Sequence, residues 1–450
     1  MEALAVPEQA PETAPRLKTA AEPEDPTPSN PELAAPVSRA EAEEFVALLA
    51  RELHRYGSPS HRLEEAMRSL SQKLGLRGEF FCTPTAIFAS FRPAPGGPFA
   101  DPSGRPSSEP PHTVLLRLEP GEVNLEKLSQ LDAILLRVLH GQPDLQRASA
   151  AIEAAAAQPP RYGRLLTVLA FAAASAATAR FFGGGPLESA AGAAIGLLVG
   201  VLAHFVQDRP ATARVFEAIA AAIAAFGASA AAAKADTSFL IVTVSALIVL
   251  MPGLTITTAV SELAMRHLAS GSSRLAGALL TLMSMAVGFA LGSRCGTLVF
   301  GSPPQNYPPP QPTFTELLAL LVIAACLPVL FRARIRELPL FLAAAALALF
   351  GSRLGANLLG PQLGALTGAV IIGVASNLYA RWANRPSALV QMPGLMVLVP
   401  GSLGFHSVAA LLEENTLAGV QSGFTVVLVA ISLAMGLLIA NAIVPPRRVL

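Results

Sequence analysis

The sequence predicts an all-α polytopic membrane protein preceded by a small α+β cytoplasmic domain. Its ten transmembrane helices are expected to form a 5+5 inverted repeat with two broken helices. Only 14% of the 450 residues are charged, whereas a soluble domain carries about 25%. Apolar runs fill residues 165–445, and each is long enough for the roughly 20 helical residues that cross a bilayer core. Within them the tetrapeptide Met-Pro-Gly-Leu occurs twice, which indicates an internal repeat.

The chain before the apolar runs predicts a tail followed by a soluble domain. Residues 1–37 are rich in Pro, Glu and Ala without apolar periodicity, which predicts a disordered tail. Ser38 and Glu41 have the spacing of a capping box, which begins a cytoplasmic domain over residues 38–160. Its first helix is expected to end at Gly57. The other predicted elements are a helix over 60–74, one strand each in "EFFCTPTAIFASF" and "HTVLLRLEP", and helices over 123–140 and 143–156.

Ten apolar runs follow Arg164 and predict ten spans. They cover residues 165–182, 187–206, 212–233, 237–258, 273–293, 315–331, 337–350, 357–379, 388–410 and 420–444. The first membrane half is expected at 161–295 and the second at 315–450. Residues 296–314 contain "SPPQNYPPPQP" and predict a proline-rich connector between the halves.

Positive charge predicts the orientation of these spans. With the N-terminal domain in the cytoplasm, thirteen Arg residues of the loops and flanks fall on the cytoplasmic side. Four basic residues fall on the opposite side: Arg180, Lys234, Arg294 and Arg353. Cytoplasmic loops carry the excess of Lys and Arg. The sequence therefore predicts a multi-pass protein of the cell (inner or plasma) membrane with both termini in the cytoplasm.

The repeated tetrapeptide indicates how the two halves are related. It occupies residues 251–254 in the fourth span and 392–395 in the ninth, so the copies are offset by 392 − 251 = 141 positions. Because each half has five spans, the fourth and ninth spans run in opposite directions. Paired discontinuous helices of this kind form the binding site of many inverted-repeat transporters near the bilayer midplane. We expect the two breaks to meet there with their freed backbone groups facing a shared polar cavity; an ordinary proline kink is the alternative.

Several stretches together resemble one known family. In the soluble part they are "HRYGSPSHRLEEAMRSLSQKLGL", "FFCTPTAIFASF" and "VNLEKLSQLDAILLRVLHG". In the membrane part they are "VLMPGLTITTAVSELAMRHLASGSSRLAGALL" and "VQMPGLMVLVPGSLGFHSVAALL". In order and spacing, over about residues 40–445, they resemble the threonine/serine exporters. The resemblance implies a soluble region, two five-helix halves and export of small hydroxy amino acids. The family has an Asn near Thr257-Thr258, so the exact solute stays open.

Candidate solute-binding residues cluster at and after the breaks, and the ninth span is expected to have a second break at Pro400-Gly401. Backbone amides at the start of a half-helix can hold a carboxylate, and hydroxyls can contact a hydroxyl. The predicted site residues are Pro252, Gly253, Thr255, Thr257, Thr258, Pro393, Gly394, Pro400, Gly401 and Ser402. A structural role in bonding the helix backbone is equally open for the threonines. The resemblance implies that Glu262 carries the coupling proton; the alternative is a solvated acid at the cytoplasmic end beside Arg266. Asp236 is a weaker candidate that is also placed to cap a helix.

The remaining features exclude several function classes. No Walker motif, nucleophile elbow or HExxH occurs, so neither direct ATP coupling nor an enzyme is predicted. The net charge of +1 gives no sign of nucleic-acid binding, and neither cofactor nor metal is expected. We expect a secondary exporter of threonine or serine driven by protons, embedded in lipid. The alternatives are an exporter of small dicarboxylates or a channel or scaffold, and a homo-oligomer stays open.

Overall fold

A computed structural model describes residues 37–100, 110–119, 121–141, 144–206, 210–302, 308–309, 311–399, 401–412 and 416–447. The predicted disordered tail up to position 36 lies outside the described residues, as do Pro400 and the centre of the proline-rich connector. Seven elements form the soluble part, in this order: Arg39–Arg55 (α1), Ser60–Lys73 (α2), Leu76–Thr83 (β1), Ala86–Pro93 (β2), His112–Arg117 (β3), Leu125–Leu139 (α3) and Leu145–Ala157 (α4).

The soluble part has a helical layer on one face of a small sheet. The strands pair antiparallel in the order β1-β2-β3. The predicted capping box begins α1: the Glu41 N–H donates to Ser38 Oγ at 3.2 Å, and the Ser38 N–H donates to the Glu41 carboxylate at 2.9 Å. Apolar side chains of α1 and α2, such as Phe45 and Met67, are buried with Phe91 of the sheet. This arrangement fixes the connector between α1 and α2, which reaches the membrane part.

The stretch "EFFCTPTAIFASF" forms two strands, so the prediction of a single strand is wrong. β1 and β2 are a hairpin whose last pair is Thr83 and Ala86. Pro84 between them has no N–H to donate to a sheet. The Thr83 hydroxyl also closes the turn, because it donates to the Ala86 carbonyl and accepts from the Ala86 N–H, both at 3.1 Å.

The membrane part contains thirteen α-helices among the described residues. They are Arg164–Phe181 (α5), Pro186–Val206 (α6), Pro210–Ala213 (α7), Phe216–Ala235 (α8), Phe239–Leu247 (α9), Gly253–Ala264 (α10), Leu268–Phe300 (α11), Thr313–Leu330 (α12), Leu338–Leu359 (α13), Pro361–Ala383 (α14), Ala388–Leu398 (α15), Gly401–Leu412 (α16) and Thr416–Ile443 (α17). Short 3₁₀ turns at Ile248–Leu250 and Ile335–Glu337 adjoin α9 and α13.

Nine described segments are long and apolar enough to cross a membrane, and the bent pair α9–α10 makes a tenth. The prediction of a polytopic all-α membrane protein is therefore confirmed. Several spans are longer than predicted, the fifth and the seventh by the most. The fifth continues to Phe300, so the predicted connector begins as helix. The seventh continues to Leu359, and Arg353 within it forms an ion pair with Glu316 of α12, which compensates its charge.

The two halves run in opposite directions. Tyr162, before α5, donates to the Ala333 carbonyl after α12 at 2.6 Å. At the other end, Arg180 of α5 donates to Thr315 at the start of α12 at 2.5 Å. The first span of each half is therefore antiparallel to the other. We call the end that contacts the soluble part the domain side and the opposite end the far side.

Helix packing repeats between the halves. α5 packs on α6 as α12 packs on α13, and the α8–α11 contact has its equivalent in α14–α17. Contacts between the halves are reciprocal, because α10 packs on α17 and α16 packs on α11. Reciprocal contacts are what a two-fold relation produces. The reciprocal contacts and the opposite directions of the two halves agree with the predicted inverted repeat of five and five spans.

Candidate functional site

The fourth span is broken at Pro252, as the sequence predicts. The helical segment Phe239–Leu250 and α10 meet at an angle of 59°. Between them Met251 is extended, with φ −67° and ψ 127°. The ring of a proline disfavours a helical conformation in the residue before it. The sequence therefore forces the chain out of the helix at this point.

The ninth span is broken at a different place from the second Met-Pro-Gly-Leu. α15 runs through Pro393 and Gly394 and ends at Leu398, so the prediction of a break at Pro393-Gly394 is wrong. A proline removes one backbone hydrogen bond but keeps a helical φ. A Cβ on Gly394 would lie 2.6 Å from Cγ1 of Ile372 in α14, so this glycine serves close helix packing. The chain leaves the helix at Val399, and α16 begins at Gly401.

Three features align Pro252 with Pro400, an offset of 400 − 252 = 148 positions. Val399 has the same extended backbone as Met251, with φ −70° and ψ 135°. α10 and α16 each begin at a glycine that follows the proline in sequence. Sixteen positions before each proline, Asp236 and Asn384 end α8 and α14 in the left-handed conformation. Equivalent positions of the two halves are therefore 148 residues apart. The offset of 141 predicted from the tetrapeptide is wrong.

Asp236 caps a helix at the far side of the membrane part. Its backbone has φ 50° and ψ 35° after α8, a conformation that Asp and Asn adopt more readily than other residues. The cavity described below lies at the domain side and is not lined by Asp236. The predicted coupling role of Asp236 therefore has no support in this geometry.

The two breaks touch each other. A Cβ on Gly253 would overlap Cγ1 of Val399 and lie 3.2 Å from the Gly401 Cα. A Cβ on Gly401 would lie 3.2 Å from the Met251 Cβ. Only glycine allows backbones to approach so closely. The predicted meeting of two broken helices is thus present, with Val399 and Gly401 in contact with Met251 and Gly253.

A cavity of about 210 Å³ lies on the domain side of this contact. It is smaller than the roughly 300–1,000 Å³ of pockets for drug-sized ligands and suits a small solute. The membrane helices that line it are α10 (Leu254, Thr255, Thr257, Thr258, Ser261), α11 (Arg274), α15 (Ala388, Gln391, Met392, Leu395) and α17 (Ala434, Leu437, Leu438, Asn441). The soluble part contributes Gly57, Ser58, Pro59, His61, Arg62, Gly121, Val123 and Leu128; Met265, Pro386 and Ser387 complete the lining.

The predicted site residues divide between the cavity and the packing around it. The three threonines of α10 line the cavity. Thr255 is exposed there, whereas the buried Thr257 donates its hydroxyl to the Gly253 carbonyl at 3.2 Å. Pro252, Gly253, Pro393, Gly394, Gly401 and Ser402 do not line it, so the expectation that the breaks themselves face the cavity is wrong. Pro400 lies outside the described residues.

The charged groups of the lining are cationic. Arg62 and Arg274 are its arginines, and no Asp or Glu is among the described lining residues. Burial, followed by the nearby charge of Arg62, lowers the pKa of His61 to about 3. His61 is therefore neutral at physiological pH. Arg274 is paired with the buried Glu262 at 3.1 Å, so Arg62 is the lining arginine without an ion pair among the described residues. This arrangement favours a solute that carries a carboxylate.

Three polar atoms at the cavity have no hydrogen-bond partner among the described residues. They are Ser58 Oγ, His61 Nδ1 and Ser261 Oγ. Ser58 is 1% exposed and Ser261 is 7% exposed. Buried polar groups are normally hydrogen-bonded, and an exception calls for a ligand or water. The lining therefore includes buried polar groups that a small rearrangement would make available to a polar solute.

Glu262 joins the soluble part to the membrane part. It is fully buried, accepts from the Ser60 N–H at 3.0 Å and the Ser270 hydroxyl at 2.7 Å, and pairs with Arg274 Nε at 3.1 Å. The Ser60 and Ser270 hydroxyls also lie 2.7 Å apart. These contacts are those of an anchor outside the cavity lining. That Glu262 carries the coupling proton stays a prediction.

Family comparisons cover most of the chain. A profile described as a threonine/serine exporter matches residues 44–295, the soluble part and the first membrane half. A second, described as "Threonine/Serine exporter, ThrE", matches residues 316–443, the second half. The chain belongs to the threonine/serine exporter family. This is a family of membrane exporters rather than of enzymes.

Relatives of this exporter-family chain include fungal membrane proteins. Pheromone-regulated membrane protein 10 of Pichia sorbitophila is 26% identical over 393 residues, which are 84% of this chain and 37% of the relative. The protein of the same name in Saccharomyces cerevisiae is 26% identical over 394 residues, 85% of this chain and 48% of the relative. Uncharacterized protein C7D4.12c of Schizosaccharomyces pombe is 23% identical over 441 residues, which are 90% of this chain and 55% of the relative. The chain thus spans about a third to a half of these relatives' length. No solved structure matches it significantly.

The sequence analysis did not predict that residues of the soluble part line the cavity. Ser58 and Arg62 lie far before α10 in the sequence, and no local pattern links them to it. The break at Pro400 did have a signal. "VLMPG" at 249–253 is repeated as "VLVPG" at 397–401 and differs only at the residue before the proline. The sequence predicts a second Pro-Gly break at Pro400-Gly401 but does not identify it as the partner of Pro252-Gly253.

Proposed function

We propose that this chain is a secondary carrier that exports a small carboxylate-bearing solute, with threonine and serine as the first candidates. The observation that carries the proposal is the cavity of about 210 Å³ between the half-helices α10 and α15, beside two touching breaks. Membership of the threonine/serine exporter family supports the choice of solute. The hydroxyls of Thr255 and Thr258 on the cavity wall suit a hydroxy amino acid.

The direction of loading rests on the orientation predicted from positive charge. With the soluble part in the cytoplasm of the cell, the cavity opens towards it and the touching breaks close the path to the far side. Loading from the cytoplasm is what export requires. The carrier would then alternate by rocking one half against the other. A proton gradient is our proposed driving force, because the sequence contains no Walker motif.

A small dicarboxylate is a second candidate, and the lining charges favour it. Arg62 and Arg274 face the cavity without a lining carboxylate among the described residues to hold an ammonium group. Arg62 could bind one carboxylate, and the second would share Arg274 with Glu262, which pairs with it at 3.1 Å. An amino acid would instead place its ammonium group against backbone carbonyls or amides such as Gln391 and Asn441.

Reconstitution of the purified chain in liposomes tests the function. Vesicles preloaded with unlabelled L-threonine, L-serine or succinate should accumulate the same labelled solute transiently, because a carrier exchanges solute across the membrane. An imposed pH gradient should drive net movement. A channel would equilibrate label without counterflow, and a scaffold would move no solute; either result would contradict the proposal.

A further inference from the structure

We propose that residues 57–62 of the soluble part form the carboxylate-binding end of the cavity, with Arg62 as the anion-binding residue. This deepens the proposed function and rests on it. The soluble part would then be a component of the solute site. The solute is identified only by its carboxylate, which an amino acid and a dicarboxylate share.

The segment is held at the cavity by buried polar contacts. Ser60 begins α2, and its N–H and hydroxyl bind Glu262 and Ser270 of the membrane part at 3.0 and 2.7 Å. Ser58 and Arg62 on either side of it both line the cavity. The anchor therefore sets the position of the segment relative to α10, although the two are far apart in sequence.

Arg62 has no carboxylate within ion-pair distance among the described residues, although the charge of Glu65 on the same helix also acts on it. Its one hydrogen bond there goes from Nη1 to the Arg447 carbonyl at 3.3 Å. Arg447 itself is occupied, because its Nη2 binds both carboxylate oxygens of Asp132 at 2.8 and 2.9 Å. A partly buried cation without an ion pair is costly, and a bound carboxylate would offset that cost.

Unsatisfied polar atoms next to Arg62 point to the same ligand. Ser58 Oγ, 1% exposed, and His61 Nδ1 have no partner among the described residues. Ser261 Oγ across the cavity is also unpaired. Hydroxyl groups can donate to a carboxylate held by a guanidinium, and Arg62 has further N–H donors available for a two-point contact.

The test compares an acid with its amide. Full-length wild type, Arg62→Gln, Arg62→Lys and Ser58→Ala are reconstituted at equal density. The control Arg51→Gln removes an exposed arginine of α1 that does not line the cavity. Competition of L-threonine, L-threoninamide and succinate against labelled L-threonine or labelled succinate gives the half-saturating concentration of each.

We expect Arg62→Gln to raise the half-saturating concentration of carboxylate solutes at least about tenfold, because a hydrogen bond to a charged group is lost. Threoninamide should bind wild type poorly, and its disadvantage against threonine should disappear in Arg62→Gln. Arg62→Lys should retain part of the preference, Ser58→Ala should weaken it less, and Arg51→Gln should match wild type. A structural role for Arg62 would lower the rate without changing the ratio of acid to amide, which would overturn the inference.

Two further outcomes separate the inference from the proposed function. Wild type that moves succinate but not threonine, with the same loss in Arg62→Gln, supports the site and identifies a dicarboxylate. Wild type that moves none of the solutes refutes the proposed function. In that case direct binding of labelled succinate or threonine to the purified chain decides the site: binding lost in Arg62→Gln supports it, and absence of binding overturns it.

Discussion

The two copies of Met-Pro-Gly-Leu have the same sequence and different structures. In the first half Pro252 separates two helices that meet at 59°. In the second half Pro393 lies within α15, and Gly394 packs against Ile372. The element equivalent to the first copy is Val399–Gly401, two helical turns later. Whether a Pro-Gly pair breaks a span therefore depends on what its backbone packs against.

The difference has a physical cause in the contact between the breaks. Gly253 and Gly401 bring two backbones together where no side chain fits. That contact requires the backbone to leave the helix in both the fourth and the ninth span. Pro393 has no such partner, and a membrane helix tolerates the loss of one hydrogen bond when neighbouring groups satisfy it. The tetrapeptide permits a break, and the tertiary contact determines where it forms.

Replacing the two prolines should give the largest difference. Pro252→Ala removes a penalty of about 3 kcal/mol on a continuous helix, which shifts the equilibrium towards the straight form by about a hundredfold. We expect solute counterflow to fall at least about tenfold. Pro393→Ala restores one hydrogen bond in an intact helix, so counterflow should stay at the wild-type rate. Equal losses at matched protein levels would contradict the assignment of the breaks.

The buried anchor on α10 should give the next largest effect, on stability. Glu262→Gln leaves Arg274 without its counter-ion, which costs about 3–5 kcal/mol when a buried pair is broken. Its equivalent in the structural repeat is Ala410, which has no carboxylate. The control Glu316→Gln breaks the more exposed pair with Arg353 and should cost no more than about 1 kcal/mol. Similar melting temperatures of the two variants in detergent would contradict this account.

The glycines of the breaks should differ from each other. A Cβ on Gly253 overlaps Val399, whereas a Cβ on Gly401 stays 3.2 Å from Met251. Overpacking costs about 1–3 kcal/mol. We therefore expect Gly253→Ala to lower both the melting temperature and the counterflow rate, and Gly401→Ala to have a smaller effect. The reverse order would show that the contact is arranged differently.

The smallest expected effect concerns the threonines of α10. Thr255 is exposed at the cavity, whereas the Thr257 hydroxyl is bonded to the Gly253 carbonyl. Thr255→Val should change the ratio of threonine to alanine transport a few-fold, since one neutral hydrogen bond is worth about 1 kcal/mol. Thr257→Val should leave that ratio unchanged. A larger change in Thr257→Val would indicate that its hydroxyl turns to the solute.

The sequence was sufficient for the architecture and insufficient for the site. Apolar length predicts the spans because a bilayer fixes the length of each helix, and an odd number of spans in each half fixes the inversion. The tetrapeptide led to the wrong position for the second break. Its sequence does not reveal that Gly394 packs on Ile372, or that Gly253 contacts Val399 and Gly401 instead. The "VLxPG" match and the left-handed Asn384, which aligns with Asp236, identify the correct register only once backbone geometry is considered.

The charged end of the cavity could not be predicted for a different reason. Arg62 and Ser58 belong to the soluble part and reach α10 only through the anchor at Glu262. Glu262 itself was predicted as a proton carrier because an acid in a membrane span is commonly functional. Its partners Ser60, Ser270 and Arg274 are distant in sequence or on the next helix. Only the folded chain brings them together.

Disulfide trapping tests most directly whether Pro252 and Pro400 mark the paired breaks. In a chain with Cys82, Cys295 and Cys326 replaced by Ser, cysteines replace Met251 and Gly401. A Cβ on Gly401 lies 3.2 Å from the Met251 Cβ, close to the roughly 3.5–4.5 Å of a disulfide. The account predicts that mild oxidation joins the two positions and stops counterflow, and that reductant restores it. The matched pair of Met251→Cys with Gly394→Cys should stay unlinked. Crosslinking of 251 to 394, with none to 401, would show that the two Met-Pro-Gly-Leu copies are the paired breaks and would contradict the account.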